Sequence, residues 1–523
     1  MDRGRRDVRR VGLRIGPRGV FLVVLVLTFL SLGCWSFASP LVAAPDEQAH
    51  IIRAVALDHG QLGHRPSPSS KVDVVVNVPA SINESNFWLI CWRFHAKVSA
   101  LCSPPWTTSS STVSTTTHVG HYPPLYYSLV GAGSFVSEQR GGIYLMRLVS
   151  AALSALMLAL CAYIVTRWSR RRSLIVGVLV SLTPVTLFLA SAVNPSGFEI
   201  TTAICLWTAA AVFALEYPTV PPRGLVVLIG ATASVLALVR GLGPLWVALV
   251  AVVLAMFVGP TQLVRLVRAR RDVQFALGAV VLCGLFAVWW IFSQGTLNVL
   301  PSHVRVPTGA SELQTMRLVA EHLFSRIRES VGVLGWLDTP LPTALYLTWY
   351  LLALTLLAGA LARSTWRQRT ALATLVALTV VIPIIVVSRR AHEIGIVWQW
   401  RDALPLAVGA VIFSAGLSTS ATGSGVVTRR IGVGIIATVS LLHVVAFYVN
   451  LRRYAVGVNG PRLFFLRNQG WSPPTGQLLT LAAYGLVTAA IGILAMLWVA
   501  TSSGPLDPVA RGAQSTWRER PTL

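Results

Sequence analysis

The sequence predicts an all-α polytopic integral membrane protein of about twelve transmembrane helices, each about 20 residues long, with a large first loop on the outer side. Three observations carry this prediction. Of 523 residues, 54% are hydrophobic and only 12% are charged, against about 25% charged in a soluble domain; the mean hydropathy is +0.66. Long apolar runs recur along the whole chain, which rules out a soluble domain on a single anchor. Arginines crowd the alternate connections between those runs, as cytoplasmic segments do under the positive-inside rule. In hydrocarbon such runs are helices, because a helix satisfies its own backbone polar groups.

Residues 1–18 hold seven arginines, from Arg3 to Arg18, and read as a cytoplasmic basic tail. The apolar run Val20–Phe37 follows. Leu41-Val42-Ala43-Ala44 offers small residues for signal cleavage, but the run exceeds a usual signal core of about 7–15 residues, which favours a retained helix. Residues 39–141 form the outer loop. Within it, Ala43–Leu57 has apolar residues at helical spacing and is expected to lie along the membrane surface. The Thr107–Thr117 stretch is of low complexity and reads as a solvent-exposed loop. Further spans fall near 142–166, 172–193, 196–216, 223–239, 242–259, 273–294, 342–362, 369–388, 402–418, 431–450 and 476–500. The membrane domain thus covers 19–500, and 501–523 is a second cytoplasmic tail. This order places 24 of the 43 basic residues in the short inner segments. A shift of one helix would put those arginines outside, against the rule.

A net charge of +24 would suggest nucleic acid in a soluble protein. Here no basic domain stands apart from the spans, and no nucleic-acid partner is expected. Cys34, Cys161, Cys205 and Cys283 lie in or beside apolar runs and read as small packing residues. Cys91 and Cys102 share the first loop and can form one disulfide if it faces an oxidising compartment.

The candidate chemistry begins directly after the first helix, at Pro45-Asp46-Glu47-Gln48-Ala49-His50. Two carboxylates emerge at the outer surface, and Asp46 and His50 share a face if the segment is helical. Such a group can serve as a general base or hold a divalent cation. Acids behind a proline also suit a plain helix start. Tyr126 belongs to His121-Tyr122-Pro123-Pro124-Leu125-Tyr126-Tyr127, whose tyrosines suit an interfacial belt or a packed floor under a site. Glu199 lies just inside a span, where an ionisable group is a functional candidate by default. Arg240 sits in one outer turn, and Arg389, Arg390, His392 and Arg401 cluster in another. Guanidinium groups bind phosphate oxygens bidentately; pairing with Glu393 and Asp402 is the plainer alternative. Asp338, in the Gly332–Pro342 turn, caps the turn or lines a cavity.

These segments occur in an ordered set: Pro45-Asp46-Glu47 with His50, Pro123-Pro124-Leu125-Tyr126-Tyr127, Gly335-Trp336-Leu337-Asp338, Trp398-Gln399-Trp400-Arg401 leading to Pro405, and Arg453-Tyr454 with Gly457. The set resembles the bacterial membrane family DUF2142 over about residues 20–500. That family looks like a relative of the GT-C glycosyltransferases, which use polyprenyl-phosphate-linked sugars on the outer membrane face. The resemblance implies a catalytic base or metal ligand at Asp46, with Glu47 beside it. His50, Tyr126, Glu199, Arg240, Asp338 and Arg401 are the candidate substrate-binding residues. Where the family reads Gln-Gly-Arg-Tyr, this chain has Gln399-Trp400-Arg401-Asp402: the arginine is kept and its neighbours differ.

The leading expectation is therefore a GT-C-like transferase in a bacterial plasma membrane, with both termini cytoplasmic. Its partners would be membrane lipid, a polyprenyl-phosphate sugar donor and a cell-envelope glycan acceptor. A divalent cation, Mg or Mn, is compatible with this reading and not required by it. A flippase or transporter of lipid-linked substrates, or a non-catalytic envelope assembly protein, are the alternatives. Clear internal repeats and mid-membrane charges, which favour transport, are lacking in the sequence.

Overall fold

The computed structural model describes residues 15–62, 65–67, 70–83, 91–106, 108–418, 426–464 and 469–500. The tail arginines before Ile15, residue Thr107 and the 501–523 tail lie outside the described residues. In chain order the helices are α1 (Pro17–Ala38), α2 (Glu47–Asp58), α3 (Ala80–Asn83), α4 (Pro124–Val130), α5 (Arg140–Trp168), α6 (Ser173–Ser181), α7 (Pro184–Ala190), α8 (Pro195–Glu216), α9 (Arg223–Val239) and α10 (Gly243–Val258). They continue as α11 (Pro260–Ala269), α12 (Arg271–Gln294), α13 (Glu312–Ser325), α14 (Thr343–Arg363), α15 (Trp366–Ser388), α16 (Ala391–Ile394), α17 (Leu404–Leu417), α18 (Val426–Val456) and α19 (Gln477–Ala500).

Each predicted span coincides with a helix, but the helices are not of one kind. Among the described residues eight are long and apolar enough to cross a membrane: α1, α5, α8, α12, α14, α15, α18 and α19. Two bent pairs bring the count to ten, and α9 and α17 are shorter apolar helices. The breaks have local causes. The α6–α7 pair bends by 69° where Thr183, held extended before Pro184, cannot continue the helix. The α10–α11 pair bends by 103° at Gly259, whose φ of 104° suits glycine, followed by Pro260. The sequence reading missed α11 because its arginines alternate with leucine and valine, the pattern of an interfacial helix.

The connections separate onto two faces. On one, arginines tie the helix ends together: Arg171 donates to Gly416 O at 2.8 Å, Arg172 to Trp498 O at 2.7 Å and Arg367 to Met256 O at 2.7 Å. On the other, the first loop meets the later loops: Asn194 donates to Pro45 O at 3.0 Å, Trp290 to His121 O at 3.1 Å and Ser99 to Ala455 O at 2.6 Å.

The first loop is a folded cap. Helix α2 is buried from Glu47 to Ala56, so it does not lie along the membrane surface with one face open to headgroups. Strands β1 (Arg65–Ser67), β2 (Ser70–Pro79) and β3 (Thr112–Thr117) form an antiparallel sheet, with Val74 opposite Thr117 and Pro79 opposite Thr112. Residues 108–111 are exposed coil, as expected of a loop, whereas Thr112–Thr117 is a strand whose alternate residues are exposed. Its repeated threonines are β-branched and suit a pleated, half-buried surface, and Thr117 Oγ1 donates to Ala49 O at 2.9 Å, fixing the sheet to α2. Cys91 and Cys102 form a disulfide. Arg453 of α18 donates to Trp92 O and Val98 O inside that disulfide loop. The same side chain pairs with Asp338 at 2.9 Å, on the turn between the short strands β4 (Val333–Leu334) and β5 (Thr339–Pro340).

One buried ion pair joins the cap to the helices. Arg147 of α5 donates through Nε and Nη2 to the two Glu47 oxygens, both at 2.7 Å. Its other protons go to Ser36 O, Ser39 O and Pro40 O at 2.7, 2.9 and 2.8 Å. Both side chains are at most 1% exposed. All five donors of the guanidinium are used, which offsets the cost of burying the charges.

Removing one partner leaves the other charge buried. Arg147→Met is expected to destabilise by about 3–5 kcal/mol, read as a lower melting temperature in detergent and less inserted protein. Adding Glu47→Gln to Arg147→Met should recover part of the loss; an unchanged melt in the single variant contradicts this role. In the oxidised protein Cys91 and Cys102 should resist alkylation until a reductant is added, and Cys102→Ser should cost about 2–3 kcal/mol in the cap.

Candidate active site

The site grows out of the turn between α1 and α2. Two residues there have left-handed backbones: Val42 at φ 61° and Asp46 at φ 65°. Aspartate tolerates this region; a β-branched residue rarely does. Each such residue costs about 1–3 kcal/mol and persists only where its surroundings over-determine it. Here Trp336 Nε1 donates to Val42 O at 3.1 Å, Tyr454 OH to Ala43 O at 3.3 Å and Asn194 Nδ2 to Pro45 O at 3.0 Å. The result is that adjacent carboxylates point apart. Glu47 faces the core, where it accepts from Arg147 and from Val193 N at 3.0 Å. Asp46 faces a cavity.

That cavity encloses about 1480 Å³ including its mouth. The cap supplies Asp46, His50, His118 and Tyr122; the α9–α10 turn supplies Arg240. The opposite wall comes from Thr296–Leu300 and from a segment that includes Arg390, Gln399, Arg401 and Asp402. Asp46 Oδ2 lies 2.9 Å from Arg401 Nη2, and Oδ1 lies 3.6 Å from His118 Nε2. The carboxylate sits deep in the protein, yet its side chain is 32% exposed through the cavity. Burial alone would raise its pKa. The hydrogen bond from His118 and the Arg401 charge more than reverse this and hold the carboxyl well below the usual range.

His50 lies beneath this pair. Burial pushes its imidazole well below the ordinary value, and the Asp46 charge only partly opposes that. Its Nδ1 is 2.8 Å from Tyr127 OH, and the two rings stack with centroids 5.9 Å apart. Tyr126 is buried one layer further down, bonded to Ser150 at 2.9 Å and stacked on Phe198. The tyrosines thus form a packed floor rather than an interfacial belt.

The arginines divide in the same way. Arg240 Nη1 bridges Glu199 Oε2 at 2.8 Å and Asp402 Oδ1 at 3.0 Å. Two acids cancel its charge, so it holds the wall together and offers no surplus attraction to an anion. Arg401 Nη2 donates to Asp46; its Nε and Nη1 are buried and have no hydrogen-bond partner among the described residues. Arg390 adds a second guanidinium to the lining.

Among the described residues, no three His, Cys, Asp or Glu side chains gather as a metal-ligand set. The Asp46 oxygens face Arg401 and His118, and a guanidinium in contact opposes a divalent cation. This donor set does not fit a resident Mg or Mn ion.

Of the residues singled out in the sequence, Asp46, His50, Arg240 and Arg401 line the cavity, and Glu199 braces it through Arg240. Glu47, Tyr126 and Asp338 do not line it. Glu47 is a structural anchor, Tyr126 a packing residue, and Asp338 a partner of Arg453. Sequence reasoning missed His118, and it named Tyr122 and Gln399 only as members of the His121–Tyr127 and Trp398–Arg401 motifs, with no role in a site. The closeness of His118 to the His121–Tyr127 motif was the available signal.

Comparison with known proteins adds the following. No curated protein matches the sequence. Two crystal structures of ArnT from Cupriavidus metallidurans, one bound to undecaprenyl phosphate and one apo, align over 92% and 91% of this chain and 76% of that chain. Identity is 15% and the TM-score 0.42 in both. Residues 29–410 match the family described as predicted membrane protein (DUF2142). This multi-pass membrane chain belongs to the DUF2142 family.

Proposed function

We propose that the chain is a GT-C-like glycosyltransferase that moves a sugar from a polyprenyl-phosphate-linked donor to a cell-envelope acceptor on the outer face of a bacterial plasma membrane. One observation carries the proposal: a single cavity brings the Asp46 carboxylate into contact with a guanidinium whose two other buried donors have no partner among the described residues. Transfer of a glycosyl group from a phosphate needs both. A base takes the proton of the acceptor hydroxyl, and fixed positive charge stabilises the phosphate that leaves with the bonding electrons.

In the resting arrangement Asp46 is a weak base, because Arg401 and His118 stabilise its charged form. A donor phosphate on Arg401 would draw that charge away and raise the basicity of Asp46. The acceptor oxygen then forms its bond to the sugar carbon, the carbon–oxygen bond to phosphate breaks, and Asp46 receives the proton. Glu199 and Asp402 would hold Arg240, and with it the cavity wall, in place. The cavity mouth at the cap-bearing face would be the outer side by the distribution of arginines.

The bent pairs α6–α7 and α10–α11 favour a flippase, since transporters use discontinuous spans. The charged groups nevertheless gather at the cap-bearing face, as the Asp46, Arg240 and Arg401 contacts do.

Asp46→Asn is expected to cut transfer by about 10²–10⁴-fold, the range for a lost general base, while the protein stays folded and inserted; full activity in a membrane assay contradicts the assignment. Arg401→Gln should cost about 10²–10³-fold, whereas Tyr126→Phe, which removes a buried bond to Ser150 outside the cavity, should leave the rate nearly unchanged and cost about 0.5–1.5 kcal/mol of stability.

The depressed Asp46 carboxyl gives a pH test. Its stabilising effect is complete above the unfolded value of about 4 and is lost as pH falls further toward the folded value. The melting temperature of wild type should therefore exceed that of Asp46→Asn at pH 7 and converge on it below about pH 4. A gap that widens on acidification would contradict the Asp46–Arg401 contact.

A further inference from the structure

A second cleft lies between α1, α5, α6, α18 and α19 and encloses about 1140 Å³ including its opening. It shares no lining residue with the Asp46 cavity and occupies the half of the helix bundle toward the arginine-rich face. No lining residue carries a fixed charge. Three of its hydroxyls turn back onto their own helices: Thr28 donates to Val24 O at 2.6 Å, Thr166 to Ala162 O at 2.7 Å and Ser440 to Ile436 O at 2.9 Å. Packed interiors do not leave such a space open. His443 Nδ1 and Thr488 Oγ1 are buried in this lining without a hydrogen-bond partner among the described residues, but they are isolated sites in a wall that is otherwise mostly apolar, and each water needs two to four polar partners. In a bilayer the filler with matching chemistry is a hydrocarbon chain.

The end of the cleft identifies the headgroup. Trp498 lines it close to the end of α19, and tryptophan at the end of a span is typical of a membrane interface. The Arg172 guanidinium sits 4.7 Å from the centre of the Trp498 ring and donates to Trp498 O at 2.7 Å. Arg18 and Arg167 are exposed at the ends of α1 and α5, close in sequence to the lining residues Val20 and Thr166. An apolar cleft ending in a tryptophan and a basic rim complements an anionic phospholipid.

We propose that this cleft holds one acyl chain of an anionic phospholipid drawn from the leaflet at the arginine-rich face, with the lipid phosphate on the rim formed by Arg18, Arg167 and Arg172. The site is separate from the Asp46 cavity, and its occupant is a bound structural lipid rather than a reactant. By filling the gap between α1, α18 and α19, the lipid braces the helix that leads into the Asp46 turn.

The test uses the full chain in nanodiscs of phosphatidylcholine doped with phosphatidylglycerol bearing a mid-chain diazirine. Irradiation and peptide mass spectrometry should place crosslinks on cleft-lining residues such as Leu179, Ser440 and Leu494. Ala162→Phe and Ala495→Phe, which push side chains into the cleft, should each lower those crosslinks about tenfold, equivalent to about 1.4 kcal/mol of binding. Arg172→Gln with Arg167→Gln provides a second test that leaves the cleft itself unaltered, and should lower them in the same direction. Diazirine phosphatidylcholine should label the cleft more weakly than the glycerol lipid, and added polyprenyl phosphate should not compete. Crosslinks confined to lipid-facing residues such as Leu22 and Val26, or labelling unmoved by any variant, would overturn the proposal. Equal labelling by phosphatidylcholine would overturn its headgroup assignment. Competition by polyprenyl phosphate would give the cleft to the donor tail instead. None of these readouts depends on transfer activity.

Discussion

The buried pair of Arg147 and Glu47 is the constraint on which the rest of the molecule depends. One guanidinium gathers the end of α1, the start of α2 and, through Glu47, the α7–α8 turn. Buried charges are tolerated only when their hydrogen bonds are complete, and here they are. Because Glu47 is committed to the core, the backbone at Asp46 has little choice. It takes the left-handed conformation and turns the neighbouring carboxylate toward the cavity. Two acids that are adjacent in sequence thereby acquire opposite tasks.

A similar division applies to the arginines. Arg453 lies outside the cavity and clamps the disulfide loop to the β4–β5 turn, and Arg240 bridges two acids. Arg401 is the cavity arginine with buried donors to spare. The chemistry of the site is thus defined by which charges are left over once the fold has satisfied the others. An excess of 24 positive charges says little about a ligand; two unpartnered nitrogens beside a carboxylate say more.

Much of the helical framework was legible in the sequence, because bilayer thickness and the energetic cost of charge in lipid act on local composition. The helices in the described residues follow the predicted order for that reason. What was not legible arose from contacts between distant segments. A threonine-rich stretch became a strand only because β2 lies beside it. Helix α2 showed helical spacing, but burial on all sides depended on the sheet and α4 covering it. Asp46 could be picked out as the first acid beyond α1, whereas His118 and Gln399 enter the site from loops whose positions no local pattern reveals. Glu47, Tyr126 and Asp338 stood out as polar residues at loop ends, and the partners that engage them, Arg147, Ser150 and Arg453, lie 100, 24 and 115 residues away in sequence.

The central claim, that the Asp46 cavity transfers a lipid-linked sugar, is most directly tested in the native host. The gene would be deleted and then complemented with wild type or Asp46→Asn, and envelope glycans and lipid-linked sugars compared by mass spectrometry. Loss of one sugar from a glycan, accumulation of its lipid-linked donor, and rescue by wild type alone is the predicted result. Full rescue by Asp46→Asn would show that the carboxylate is structural and would contradict the account.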